Sequence, residues 1–359
     1  MMTAREIARW RLQNQYLSAP HAASAMSVLD HLLAVQAENP RQSEWAVACR
    51  TANPAATEIT GLLETGELVR THVLRPTWHY VKADDVGWLL DLTAPRVLPT
   101  LFRQLTDQIG WSVASMDRAV AVVVEALSDR AHRDRDDLAG AFNERGMSVD
   151  RHALMLLLAY AELNQLICSG QPVNGKHTYA LFADRVPAVR RLHRDEALGQ
   201  LALRYFTGHG PATEQDLAYW ATLPLGDVRK GIESAREQLE AFVHDGRTYW
   251  HSRGSAPFGS REPAAHLLQI LDEMYRGYQE SRMVIDADGL VPGGREAGIG
   301  MALVDGQMIG RVNRMLNSRV RFELTSYREL TQAERSALEE AAARYGRFLG
   351  LEHDLLIRS

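Results

Sequence analysis

Cysteine is nearly missing from this chain: Cys49 and Cys168 are the two in 359 residues. No Cys-x-x-Cys and no paired Cys/His cluster occurs, which argues against a Cys-based zinc site and excludes a disulfide-stapled scaffold. A reducing, cytoplasmic setting is the simplest expectation. Lysine is confined to Lys82, Lys176 and Lys230, so arginine carries the basic charge. Long apolar runs are missing too. The longest, Ala153 to Ala161, is far too short to cross a bilayer as a helix, so no membrane partner is expected. Met1 to Trp10 holds Arg5, Glu6 and Arg9 and lacks the unbroken apolar core of a signal peptide. No P-loop, GxGxxG, HExxH or GxSxG motif occurs. We therefore expect no cofactor and no metal.

What is present is ordinary for a globular protein: 46% hydrophobic and 24% charged residues. This length suggests about two to three structural units and can bury a large core. Lys+Arg is 40 and Asp+Glu is 45, a net charge of −5. A uniformly basic surface is excluded; a locally basic groove is not. A GC-rich genome alone would favour Arg over Lys. In either case Arg suits phosphate, because its planar fork binds oxygens bidentately.

The hydrophobic pattern is mostly helical, interrupted by short strand pairs. Thr3 to Leu17 reads as a helix with a Thr3/Glu6 capping box, and Ser24 to Val35 as a second that stops before Pro40. Thr57 to Thr65 is a short helix, and Leu68 to Val81 is strand-like. From Met116 to Phe182 the plan is helix, helix, helix, then a hairpin with Asn174-Gly175 at its turn. Asp195 opens a second copy. A break at Gly208 to Pro211 leads to a helix from Thr213, a third helix over Gly226 to Ala241, and a wing around Asp245-Gly246. Thr3 to Val81 reads as a third, divergent copy. Beyond Pro257, Pro263 to Tyr278 reads as helix. Met283 to Ile285, Gly298 to Val304, Gln307 to Asn313 and Val320 to Leu324 read as strands, and Thr331 to Leu349 as a capped final helix.

The expected fold is thus mainly α with small β elements (α+β). It consists of tandem winged helix-turn-helix motifs plus a small C-terminal β-sheet or barrel-like unit. The expected boundaries are 1–115, 116–194, 195–256 and 257–359.

Tandem winged helices point to DNA. Between Gly306 and Phe322 lie Arg311, Arg314, Arg319 and Arg321 with no acid, and we take all four as candidate phosphate contacts. Arg75, Thr77 and His79 alternate to one side of a predicted hairpin strand and form a second candidate set. Trp45, Trp111 and Met155 read as core. Asp272, Tyr278 and Arg282 read as a structural polar cluster. The sharper feature is Val35-Gln36-Ala37-Glu38-Asn39-Pro40. Residues two apart share a side in extended chain, so Gln36 and Glu38 can project together from a helix end. A carboxylate there can stabilise a cation or deprotonate water; a carboxamide can hold that water.

The chain resembles the AlkZ/YcaQ-like winged-helix DNA glycosylases over nearly its whole length. The resemblance rests on Leu33-Ala34-Val35-Gln36-Ala37-Glu38 and on Arg75-Pro76-Thr77-Trp78-His79-Tyr80-Val81. It also rests on Gly208-x-Gly210-Pro211-Ala212-Thr213-x-x-Asp216-x-Ala218-x-Trp220 and on Leu267-Leu268 with Asp272, Gly277, Tyr278 and Arg282. The Gly306 to Gly310 hairpin before the last helix completes it. The resemblance implies monofunctional excision of N7-alkylated purines, including bulky adducts and interstrand crosslinks. It implies double-stranded DNA as partner, a nucleoid-associated monomer, and self-resistance to DNA-damaging natural products as one role. It also implies Gln36 and Glu38 as the catalytic pair. The family motif is Gln-x-Gln or Gln-x-Asp; Glu38 matches neither second residue but keeps the carboxylate of the latter. The competing functions are a non-catalytic winged-helix regulator and a protein-interaction scaffold.

Overall fold

A helix begins most readily where a side-chain oxygen can receive the free N–H groups of the first turn. The computed structural model, which describes residues 2–257, 264–269, 271–292 and 300–358, follows this rule along much of its length. Helix α1 (Ala4–Asn14) opens on Thr3 with the reciprocal Thr3/Glu6 box that the sequence predicts. Helix α2 (Ala25–Leu32) opens on Ser24 and ends earlier than predicted. Leu33 takes φ +67°, and the chain continues as strand β1 (Ala34–Gln36). A short fully buried strand and a buried helix end look alike in sequence, so the apolar run Leu32 to Val35 concealed the switch. Helix α3 (Pro40–Ala48) carries proline in its first turn, where the missing N–H costs nothing.

Helix α4 (Ala56–Thr65) leads into the antiparallel hairpin of β2 (Leu68–Val73) and β3 (Thr77–Lys82), with Val73 opposite Thr77. Helix α5 (Ala83–Arg103) was not predicted. Pro95 and Pro99 lie inside it and interrupt the sequence signal, since an internal proline removes a ladder bond. Next come α6 (Val113–Ala126), α7 (Arg135–Glu144) and α8 (Arg151–Leu163), then a hairpin of β4 (Ile167–Ser169) and β5 (Tyr179–Leu181). This is the predicted helix-helix-helix-wing plan. Asn174 and Gly175 supply its positive-φ turn at +52° and +70°. Its core holds Leu138, Phe142, Leu154, Leu157 and Ile167, with Trp111 packed against it. Met155, expected in this core, instead points outward and is 38% exposed.

After the short α9 (Phe182–Arg185), the second copy follows as α10 (Arg194–Gly208), α11 (Glu214–Ala221) and α12 (Leu225–Ser234). The Thr213/Asp216 pair exchanges hydrogen bonds at the start of α11, as predicted. The predicted third helix stops at Ser234 rather than Ala241. From Leu239 the burial alternates with period two, and the chain forms β6 (Leu239–His244) and β7 (Arg247–Ser252).

The C-terminal part departs most from expectation. Pro263 and Gly298, predicted starts of elements, lie outside the described residues. The predicted helix to Tyr278 is instead strand β8 (Ala265–Leu268) and one turn, α13 (Glu273–Arg276). Met283 to Ile285 belongs to a 3-10 turn, not a strand. Strand β9 (Gly300–Val304) follows the prediction over the described residues, and β10 (Gln307–Leu316) and β11 (Val320–Ser326) follow it but run longer. Helix α14 (Gln332–Leu349) has the predicted Thr331/Glu334 box, and an unpredicted strand β12 (His353–Arg358) closes the chain. The sheet order is β12-β11-β10-β9-β8, with only β11 and β12 parallel. The fold is the expected mainly helical one with small sheets.

By contact density the chain divides into two units. One is Met1–Thr57, Leu198–Trp220 and Pro224–Ser359; the other is Glu58–Ala197 and Ala221–Leu223.

Candidate active site

Gln36 ends β1 with 3% of its surface exposed, and Ala37 after it is completely buried. The chain bends at Glu38, which is exposed, and Asn39 is extended (φ −103°, ψ 102°) as it enters α3. Asn39 is thus extended before Pro40 as predicted, but the bend at Glu38 interrupts the extended stretch from which the two side chains were expected to project together. The segment carries the carboxamide inside and the carboxylate at the surface.

Beneath β1 lies a buried polar network. The Gln36 backbone N–H donates to Glu273 Oε1 at 2.8 Å. The other carboxylate oxygen of Glu273 accepts from Trp220 Nε1 at 3.0 Å and from His209 Nε2 at 3.2 Å. His209 stacks on Tyr205, with ring centres 4.8 Å apart and planes at 10°. Its carbonyl accepts from the Tyr278 hydroxyl at 2.7 Å, and that hydroxyl accepts from Gln15 at 2.9 Å. Burial pushes the Tyr205 phenol well above its ordinary range, so it serves as a donor, to the Gly277 carbonyl at 2.7 Å.

Arg50 completes the network through Gln15 Oε1 at 2.7 Å and Asp272 at 2.8 and 3.0 Å. Desolvation works against the guanidinium charge, but Asp272, together with Cys49 and Glu273, offsets it and raises its pKa. Asp272 also caps α13 by accepting from the Met274 N–H. Arg282 donates to the carbonyls of Tyr275 and Tyr278 at 3.0 and 2.9 Å. Asp272, Tyr278 and Arg282 thus act structurally, as the sequence implied. Glu273 was missed. Its one local signal is its place in the first turn after a capping Asp, which turns its side chain to the interior.

Arg75, Thr77 and His79 lie on the β2–β3 hairpin as predicted, but they do not form an open edge. Arg75 is 8% exposed, and the His79 ring is wholly buried. Its Nδ1 donates to the Thr77 carbonyl at 2.9 Å. Helix α5 packs across this hairpin, and α8 packs on β2, which removes His79 from the surface. Nearby, Glu162 of α8 pairs with His72 and accepts from Trp78 Nε1 at 3.2 Å, while Arg70 stacks over the Trp78 ring at 4.3 Å.

The four C-terminal arginines separate by strand alternation. Arg311 and Arg321 are exposed on one face. Arg314 sits on the other, over the Tyr345 ring at 5.2 Å. It borders a cavity of about 430 Å³ that Gln42 and Trp45 of α3 also line. Trp45, 5% exposed, is core there as predicted. The stretch is acid-free in sequence but not in space. Arg319 pairs with Glu352 at 2.7 Å and Asp354 at 2.9 Å, and Arg321 lies 3.5 Å from Asp354. Arg311 makes no ion pair among the described residues.

Among the described residues, no three His, Cys, Asp or Glu converge as a metal site, and no helix is long and apolar enough to cross a membrane. The family model of AlkZ-like DNA glycosylases matches residues 29–348, a span that includes the Gln36–Glu38 segment, Glu273 and the arginine strands.

The chain belongs to the AlkZ-like DNA glycosylase family.

A curated AlkZ-like relative, the interstrand DNA cross-link repair glycosylase of Streptomyces sahachiroi, is 25% identical over 230 residues. That match spans 61% of this chain and 60% of the relative's length. The solved structure of the Streptomyces sahachiroi DNA glycosylase AlkZ superposes with a TM-score of 0.78 over 99% of both chains. At 22% identity, that likeness shows that this AlkZ-like chain has the AlkZ fold.

Proposed function

We propose that this protein is a monofunctional DNA glycosylase that hydrolyses the N-glycosidic bond of N7-alkylated purines in double-stranded DNA. Its substrates include bulky adducts and interstrand crosslinks. N7 alkylation places positive charge on guanine and weakens the bond to the sugar. As the base departs, the sugar acquires oxocarbenium character. The Glu38 carboxylate stabilises that charge and positions or deprotonates the attacking water. The Gln36 carboxamide orients the water or the sugar. The bond broken is C1′–N9; water supplies the hydroxyl that forms the new C1′–O bond, and its proton leaves through the carboxylate.

The observation that carries this reading is the geometry of the motif: a buried, hydrogen-bonded Gln36 followed two residues later by an exposed Glu38. A surface carboxylate can approach a sugar whose base stays in the stack. That matters for a crosslinked base, which cannot swing freely into a pocket. Phosphate contacts belong to Arg311 first, because Arg319 and Arg321 are partly neutralised by β12. Arg75 and Thr77 of the hairpin form a secondary set, and the buried His79 supports it from within. The winged-helix units at 1–115, 116–194 and 195–256 present these elements, and 257–359 adds the arginine strands. The protein works as a monomer at the nucleoid. The test is release of the modified base from duplex DNA carrying N7-methylguanine. Wild-type protein that binds this DNA but releases no base overturns the proposal in favour of a regulator.

A further inference from the structure

We infer that Glu273 is the positioning residue of the catalytic segment, holding Gln36 in place through its backbone; this rests on the reading of Gln36 and Glu38 as the active site. The segment is three residues of strand that follow Leu33 at φ +67° and precede a bend at Glu38. The Gln36 N–H finds its acceptor in a side chain 237 positions away.

That side chain is itself fixed. Glu273 is completely buried, with one oxygen on Gln36 and the other between Trp220 Nε1 and His209 Nε2. An ionised carboxylate only accepts, and among the described residues N–H groups of Gln36, Trp220 and His209 point at it. His209 therefore carries its proton on Nε2. Its Nδ1 is buried without a hydrogen-bond partner among the described residues, so the bond at Nε2 alone sets the tautomer, and the proton can move to Nδ1 once the group facing Nε2 becomes a donor. The indole of Trp220 has no such freedom, since it can only donate. The carboxylate thus converts the rigid aromatic packing of Tyr205, His209 and Trp220 into a fixed position for the Gln36 amide. A small displacement there moves both Gln36 and Glu38, and catalysis is sensitive to such shifts.

The asymmetry between Trp220 and His209 gives a decisive set of variants. Glu273→Gln can still offer an oxygen to Gln36, but its NH₂ then meets the Trp220 N–H, donor against donor. Glu273→Gln combined with Trp220→Phe removes that conflict, and His209 accepts from the NH₂ in its other tautomer. We measure single-turnover base release from N7-methylguanine duplex DNA, DNA affinity, and hydrogen exchange of residues 33–39. Glu273→Gln is expected to slow release at least ~tenfold, leave affinity within about twofold of wild type, and speed exchange in that segment. Trp220→Phe alone is expected to slow release less than Glu273→Gln, because His209 still holds the carboxylate, and to lower the melting temperature; the double variant is expected to regain about fivefold over Glu273→Gln. Should Glu273→Gln not fold, Glu273→Asp is read in its place. It keeps the anion near His209 and Trp220 but withdraws it from Gln36, and the same loss is expected. Wild-type release rates in a folded Glu273→Gln or Glu273→Asp overturn the inference, as does an equal loss in Glu273→Gln and the double variant. A wild-type protein that releases no base instead overturns the active-site reading.

Discussion

Arg50 grips Asp272 through both terminal nitrogens, Nη2 to Oδ1 at 2.8 Å and Nη1 to Oδ2 at 3.0 Å, with neither side chain exposed. The pair ties the chain just beyond α3 to the turn that carries Glu273. Removing one partner strands the other charge in the interior, so Arg50→Ala or Asp272→Ala is expected to destabilise by about 3–5 kcal/mol. The double variant Arg50→Met, Asp272→Leu should cost less than either alone, because no charge remains buried. Urea unfolding of the three variants checks this; losses that simply add would show that the two residues are not coupled.

Glu334 receives two hydrogen bonds from Arg328, the shorter at 2.6 Å, and closes the Thr331 capping box at the start of α14. Arg328 is the largest cause that lowers its pKa from 4.5 to about 2. A depressed carboxylate contributes stability above its unfolded pKa and loses it as pH falls through the folded value. Glu334→Gln is expected to destabilise by about 1–2 kcal/mol at pH 7. The gap between variant and wild type should close between pH 4.5 and about 2, within the range where the protein stays folded. A gap constant with pH across that window would exclude the charge as its source.

Arg311 and Arg319 separate under salt. Arg311 is exposed and makes no ion pair among the described residues, whereas Arg319 is shared between Glu352 and Asp354. If Arg311 neutralises one phosphate, Arg311→Ala should flatten the log–log salt dependence of DNA binding by about one unit, with little regard to sequence. Arg319→Ala should change it less. The measurement is DNA affinity across low and moderate salt; equal effects at the two positions would show that the β12 acids do not hold Arg319 back.

What could be read in the sequence was local. Capping pairs at Thr3, Thr213 and Thr331 start helices where the pattern places them, because the hydrogen bonds span three residues. Asn174-Gly175 and Asp245-Gly246 mark wings, because only such residues take positive φ cheaply. The Gln36–Glu38 pair was legible for the same reason: its spacing and its neighbour Pro40 lie in one short stretch. What escaped depends on distant chain. Glu273 meets Gln36 only through folding. Glu352 and Asp354, just before and within β12, meet Arg319 and Arg321 only because a parallel strand follows α14. Strand β8 was lost because four residues, Ala265 to Leu268, are too few to show a period that distinguishes strand from helix.

Glu38 is expected to be the principal catalytic residue and Gln36 its assistant. Removing a carboxylate that stabilises developing positive charge should cost on the order of a hundredfold in rate, so Glu38→Ala sets the lower bound. Glu38→Gln is the more informative change, because it creates a Gln-x-Gln motif at nearly constant volume. Glu38 is exposed, so this substitution leaves no buried hole, and an unchanged melting temperature shows that a loss reports chemistry rather than folding. If the carboxylate acts as a base or a counter-charge, Glu38→Gln loses most activity; if the site works by holding water, it retains much of it. Gln36→Ala should slow turnover while leaving DNA affinity nearly intact, since a neutral side chain adds little to phosphate binding. Its backbone contact to Glu273 survives the change, so the loss belongs to the carboxamide alone. Single-turnover release from N7-methylguanine DNA measures all three. Full activity in a Gln36→Ala, Glu38→Ala double variant would remove both residues from the chemistry and send the search to the cavity beside Trp45 and Arg314.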